Sequence, residues 1–143
     1  MDKNKDQVLV NCFLIGAPKS GTTSLAETLS THPEICLVKD KEPRFFSNDN
    51  NYTKGFSGYH NLFNTEDKHK IFLDASTTYG EYFLGRHKKA SQRIFNYNSE
   101  AKIIYLVRHP YKRLISNWVD YMVAANDTER KFEVFQKGML FRF

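Results

Sequence analysis

Cysteine is scarce in this chain. Cys12 and Cys36 are the only two among 143 residues. Each sits in an apolar run, so both read as reduced core residues, and their spacing supports neither a disulfide framework nor a metal site. His60 and His69 lack partners at ligand-like spacing, so no metal is assigned. Long hydrophobic runs are also missing, and no membrane segment is expected. Residues 1–7 are polar and charged and lack the apolar stretch of a signal peptide, which points to a cytoplasmic location. No repeat, low-complexity tract or linker breaks the chain, so one domain over residues 1–143 is expected.

Aromatic residues, by contrast, are plentiful. Twelve Phe and eight Tyr lift the aromatic share to 15%, within 41% hydrophobic residues overall. That composition excludes a wholly disordered chain. Lys and Arg number 21 against 16 Asp and Glu, a net charge of +5. The balance fits an anionic ligand without identifying one. No nucleic-acid partner is expected, and the oligomeric state is open.

The apolar pattern alternates between strand and helix. Residues 8–15 form an almost continuous apolar run ending at Gly16, which reads as a buried parallel strand. A helix is expected over residues 22–31, with Leu25 and Leu29 on one face and His32-Pro33 at its end. Short strands are expected at 35–38 and at 71–73, the latter ending at Asp74. Residues 47–58 read as mostly loop. A basic-faced helix over 87–97 precedes the clearest strand, 102–107, and a helix over 111–125 follows Pro110. This order predicts an α/β fold, a parallel sheet flanked by helices. Ligands of such sheets lie beyond the carboxyl ends of the strands. The loops at 16–23 and 108–113 both leave strand ends, so one shared pocket is the expectation.

The first loop reads Gly16-Ala17-Pro18-Lys19-Ser20-Gly21-Thr22-Thr23-Ser24. Glycines let the backbone approach a ligand. Free amides at a helix start face an anion, and Lys19 adds a positive charge. The spacing of Gly16 and Gly21 matches a nucleotide-binding P-loop, but Thr22 stands where that loop carries lysine. The alternative is a turn that merely caps a helix. The second segment, Arg108-His109-Pro110-Tyr111-Lys112-Arg113-Leu114-Ile115-Ser116, pairs a guanidinium with a hydroxyl two helical turns on, a fitting phosphate clamp.

Together these segments resemble the sulfotransferases that use 3'-phosphoadenosine 5'-phosphosulfate (PAPS). Residues 18–23 resemble the family's P-K-[ST]-G-T-T loop. Arg108, Pro110, Arg113 and Ser116 resemble its R-[ND]-P-x-x-R-x-x-S element, with His109 in place of Asn or Asp. Lys41-Glu42-Pro43-Arg44-Phe45-Phe46 is similar to the K-E-x-x-[FY]-F element of the bacterial and heparan-sulfate-type branch. Tyr52, Lys54, Gly55, Tyr59 and Phe63 follow that branch's Y-x-K-G-x-x-x-Y-x-x-x-F stretch. Residues 73–79 resemble its E-x-[ST]-P-x-Y stretch. The likeness runs from about Phe13 to Trp118.

The resemblance implies a P-loop-like sheet and transfer of a sulfuryl group from PAPS to a hydroxyl or amine of a small-molecule or carbohydrate acceptor, without a metal. By it, Lys19, Ser20, Gly21, Thr22, Thr23 and Ser24 bind the 5'-phosphosulfate, with Lys19 also stabilising the charge that develops there. Arg108 and Ser116 bind the 3'-phosphate. Glu42 is the general base; read from the sequence alone, it is instead a surface carboxylate paired with Lys41 or Arg44. Phe45, Phe46, Tyr52, Tyr59 and Phe63 either line an acceptor cleft or pack the core. The basic run 86–89, with Arg93, either meets an acidic acceptor or is a solvated helix face. Arg44, Ala75 and Thr77 stand where relatives carry His, Lys and Pro, which argues against a heparan acceptor.

The family domain runs on beyond this length, so an amino-terminal fragment is expected, with apolar faces exposed and weak turnover on its own. Two other readings stay open. One is a P-loop kinase, with Asp74 holding magnesium; the other is a piece that binds the cofactor without catalysis.

Overall fold

The computed structural model describes residues 8–81, 86–125 and 132. The chain divides into two compact units, Met1–Leu106 and Val107–Phe143.

In the first unit, strands β1 (Cys12–Gly16), β2 (Ile35–Leu37), β3 (Ile71–Ala75) and β4 (Lys102–Tyr105) form one parallel sheet in the order β2-β3-β1-β4. The register pairs Leu14 with both Ala75 and Ile104, and Cys36 with Phe72. Helices α1 (Thr22–Ser30) and α4 (Arg86–Tyr97) connect strands, and a 3-10 turn covers Thr77–Tyr79. β1 lies inside the sheet because it is apolar on both sides. Phe13 and Leu14 are fully buried and, as neighbours in a strand, point to opposite faces.

Each face has its own core. On one, Leu14, Leu73, Ala75 and Ala26 pack with Leu25 and Leu29 of α1. On the other, Phe13 joins Phe45, Phe46, Tyr59, Phe63, Tyr79 and Ile94. Phe45 stacks on Tyr59 at 4.3 Å between ring centroids, and Phe13 meets Phe46 edge-on at 5.6 Å. Burial of each large side chain stabilises the fold by about 1.5–3 kcal/mol. The aromatic residues of 45–63 are therefore mainly core, as one of the two readings held. The two cysteines are free and buried.

Residues 47–58 are more ordered than their polar composition predicts. Two short helices, α2 (Asp49–Tyr52) and α3 (Phe56–His60), occupy most of the stretch and its end. Asn48 caps α2 by accepting from the Asn51 amide at 3.2 Å. Tyr52 and Tyr59 anchor the two helices by packing into the aromatic cluster. Tertiary packing here outweighs local composition.

β4 is one of the two edge strands, and Ile103 and Tyr105 are about half exposed. Its pairing outlasts the strand proper: the Leu106 amide donates to the Gly16 carbonyl and the Ala17 amide to the Leu106 carbonyl, both at 2.7 Å. In the second unit, α5 (Pro110–Ala125) begins with proline at its first position and has no fully buried residue. Trp118 lies edge-on to Phe132 at 5.4 Å and is only partly buried.

Candidate functional site

The carboxyl end of β1 leads into the phosphate loop. The Ser20 amide donates back to the Ala17 carbonyl at 3.2 Å, closing a tight turn. Lys19 sits at φ 64° and Gly21 at φ 96°. For lysine this left-handed backbone costs about 1–3 kcal/mol, a strain that the surrounding structure must hold in place. Gly21 precedes α1 and gives it no side-chain cap, and the first turn holds no acidic residue. The opening amides of α1 therefore form a positive, donor-rich end. Gly21, Thr23 and Ser24 are exposed, while Thr22 is buried. Ser20 Oγ is buried without a hydrogen-bond partner. An anion would satisfy both the helix end and this hydroxyl.

The second element is the loop after β2. Glu42 donates its amide to the Ala75 carbonyl at 3.0 Å, which ties the loop to the end of β3. Glu42 and Arg44 both adopt left-handed backbone, at φ 66° and φ 53°. The Glu42 carboxylate receives the Thr77 amide at 3.0 and 3.1 Å, the Thr77 hydroxyl at 2.9 Å and the Lys41 ammonium at 3.1 Å. The Arg44 guanidinium stands 3.9 Å away. The pairing with Lys41 that the sequence suggested is real, but the grip of Thr77 is what fixes the carboxylate. Nothing in the sequence flagged Thr77 as a partner. Its one signal was that it breaks a motif which elsewhere has proline.

Behind this grip lies a buried acid. Asp74 is fully buried and accepts from the hydroxyls of Tyr59 and Tyr79, both at 2.7 Å, and of Ser76 at 2.9 Å. Burial pushes its carboxyl up to about 6, with the charge of Glu42 adding to the rise and the three hydroxyls opposing it. Ser76 also accepts the Arg44 amide at 3.1 Å. Asp74, fully buried and bonded by three hydroxyls, thus braces the Glu42 loop from inside the core.

β1 and β3 are parallel neighbours, so their carboxyl ends lie on one sheet edge. That edge carries residues 19–24, which follow β1, and Glu42 from the loop after β2, held there by the hydrogen bond from its amide to the Ala75 carbonyl at the end of β3. The turn after β3 is tied to β1 as well, since the Gly80 amide donates to the Ile15 carbonyl at 3.0 Å. Arg108 and Ser116 belong to the second unit, Arg108 exposed ahead of α5 and Ser116 partly buried on it. On the basic face of α4, Arg93 bonds the Phe46 carbonyl and Asp49 and covers the Tyr52 ring, and Lys89 pairs with Asp49. Both are therefore structural contacts of the fold; Lys88 stays exposed.

The family model for the sulfotransferase domain matches residues 10–141. The chain belongs to the sulfotransferase family. It is 33% identical over 131 residues to heparan sulfate glucosamine 3-O-sulfotransferase 5 of Mus musculus, covering 92% of this chain and 35% of that one. It is 33% identical over 127 residues to human heparan sulfate glucosamine 3-O-sulfotransferase 3A1, covering 89% and 29%. The crystal structure of a sulfotransferase from Alicyclobacillus acidocaldarius superposes with a TM-score of 0.72 at 28% identity, covering 88% of this chain and 55% of that one. The chain thus spans about a third of the length of these curated relatives. Among the described residues, no helix is long and apolar enough to cross a membrane.

Proposed function

We propose that this chain carries the donor-binding and base-bearing part of a sulfotransferase, moving a sulfuryl group from PAPS to a hydroxyl or amine of an acceptor. The phosphate loop carries this reading. An uncapped helix end and a buried, unpartnered Ser20 hydroxyl share a sheet edge with a firmly held carboxylate. When bound, PAPS supplies the sulfuryl group and a bisphosphate leaving group.

The amides of Gly21, Thr22 and Thr23, with the hydroxyls of Ser20, Thr23 and Ser24, hold the 5'-phosphosulfate. Lys19 places positive charge where negative charge develops, which is the main way such a site lowers a barrier. Arg108 and Ser116 bind the 3'-phosphate. Glu42 takes the proton of the acceptor. The named activities of the relatives favour a sugar hydroxyl as acceptor. The exchanges at Arg44, Ala75 and Thr77 weigh against heparan itself.

Calorimetry with 3'-phosphoadenosine 5'-phosphate and with ATP plus magnesium tests the donor site. The bisphosphate should bind, and ATP with magnesium should fail to displace it; the reverse result overturns the reading. Turnover with labelled PAPS and a panel of sugars tests the rest. Binding with no transfer to any acceptor would leave a nucleotide-binding piece without catalysis.

A further inference from the structure

The donors around Glu42 are distributed unevenly between its two oxygens. Oε1 receives the Thr77 hydroxyl at 2.9 Å, the Thr77 amide at 3.1 Å and Lys41 Nζ at 3.1 Å. Among the described residues, Oε2 receives only a share of the Thr77 amide, at 3.0 Å, and Arg44 Nε at 3.9 Å is beyond hydrogen-bond reach. Each carboxylate oxygen has about two acceptor sites. Those of Oε1 are taken, and one on Oε2 is open.

We propose that Thr77 is a positioning residue which fixes Oε2 of Glu42 as the atom that takes the acceptor's proton. This rests on Glu42 being the base. The proton passes from the acceptor oxygen to Oε2, the O–H electron pair stays on that oxygen, and Glu42 becomes a neutral acid. Thr77 suits the task by its place in the chain. It opens the 3-10 turn Thr77–Tyr79, where an amide has no partner within the turn and is free to donate outward. Its neighbour Ser76 is anchored on Asp74 and on the Arg44 amide, so the donors of Thr77 stand on a fixed base.

A graded series isolates the effect. Thr77→Ser keeps amide and hydroxyl, Thr77→Val keeps the amide, and Thr77→Pro keeps neither. Proline is tolerated at the first position of a helical turn. It also requires extended backbone before it, and Ser76 already has φ −124° and ψ 104°. The expected kcat is within about twofold of the unsubstituted chain for Ser, about fivefold lower for Val and about thirtyfold lower for Pro. Affinity for 3'-phosphoadenosine 5'-phosphate should stay within about twofold throughout. Unchanged kcat in both Val and Pro overturns the proposal.

A second arm needs no turnover. In Glu42→Ala the Thr77 amide proton should move upfield and exchange with solvent about tenfold faster. If it does neither, the proposal fails even in a chain that transfers nothing. Loss of nucleotide binding by the unsubstituted chain counts instead against the proposed function, and the amide arm still decides whether Thr77 holds Glu42.

Discussion

The loops after β1 and β2 both carry a charged residue in left-handed backbone, Lys19 at φ 64° and Glu42 at φ 66°, yet they are built in opposite ways. The first is left incomplete. It has an uncapped helix end and a hydroxyl buried with no partner. The second already has its partners, since its carboxylate receives the Thr77 amide and hydroxyl and the Lys41 ammonium. Strain of similar size supports a binding loop in one case and a positioned reactive group in the other. A loop short of partners gains them from a ligand; a loop with its partners in place keeps one atom oriented while ligands come and go.

The largest expected effects separate the two loops directly. Glu42→Gln should lower turnover by about 100- to 10,000-fold and leave the affinity for 3'-phosphoadenosine 5'-phosphate within about twofold. Lys19→Ala should weaken that affinity about tenfold or more and lower turnover as well, since it removes charge that the bound and reacting states both use. Steady-state kinetics with calorimetry on both variants checks this. Equal binding losses in the two would erase the contrast.

The next effect concerns the support of the second loop. Asp74 has its carboxyl raised from 3.8 to about 6 by burial. A raised folded-state value means that stability is greatest below about pH 4 and is lost as pH rises through 6. A shift of about two units amounts to about 3 kcal/mol in all, about half of it between pH 5 and pH 8. Glu34, Asp49 and Glu66 are pulled down by their lysine and arginine partners and act in the opposite sense, but only in acid below about pH 4. Urea unfolding should therefore show a lower midpoint at pH 8 than at pH 5, and Asp74→Asn should flatten that slope. An unchanged slope would mean that the buried carboxyl of Asp74 does not set this pH dependence.

Which parts were legible in the sequence follows from the same contrast. The phosphate loop depends on local backbone, so Gly16, Lys19, Gly21 and the helix that follows could be read from residue order. The four strands were visible as short apolar runs, even β4, whose Ile103 and Tyr105 stay about half exposed. The hold on Glu42 joins residues 35 positions apart and depends on a backbone amide, which every residue but proline offers. The helices at 49–52 and 56–60 were missed for a related reason. Their polar composition looked loop-like, and part of what orders them comes from distant residues, since Phe56 stacks on Tyr97 and Tyr59 bonds Asp74.

A smaller effect tests how firmly the two loops are joined. A Cβ at Gly80 would lie 2.5 Å from the Ile15 carbonyl oxygen and 2.9 Å from the Tyr105 ring, and a strand carbonyl cannot step aside. Gly80→Ala should cost about 2 kcal/mol and shift the turn that carries Thr77. At Gly21 the nearest atom would be 3.9 Å away, so Gly21→Ala meets only the backbone penalty of φ 96°, about 1 kcal/mol. Thermal unfolding ranks the two, and a larger loss for Gly21→Ala would contradict the packing argument.

The smallest effect is the most specific to the first loop. A hydroxyl buried without a partner destabilises the ligand-free fold by about 1–3 kcal/mol, and Ser20 Oγ is in that position. Ser20→Ala removes the unsatisfied group and leaves little space unfilled. The variant should therefore be as stable as the unsubstituted chain or about 1 kcal/mol more so, while binding 3'-phosphoadenosine 5'-phosphate about threefold to tenfold more weakly. The opposite signs matter. A serine that only packs the turn would lose stability and leave binding alone, whereas a hydroxyl kept for an anion gains in one measurement and loses in the other. Thermal melts of the ligand-free chain beside a nucleotide titration decide between them.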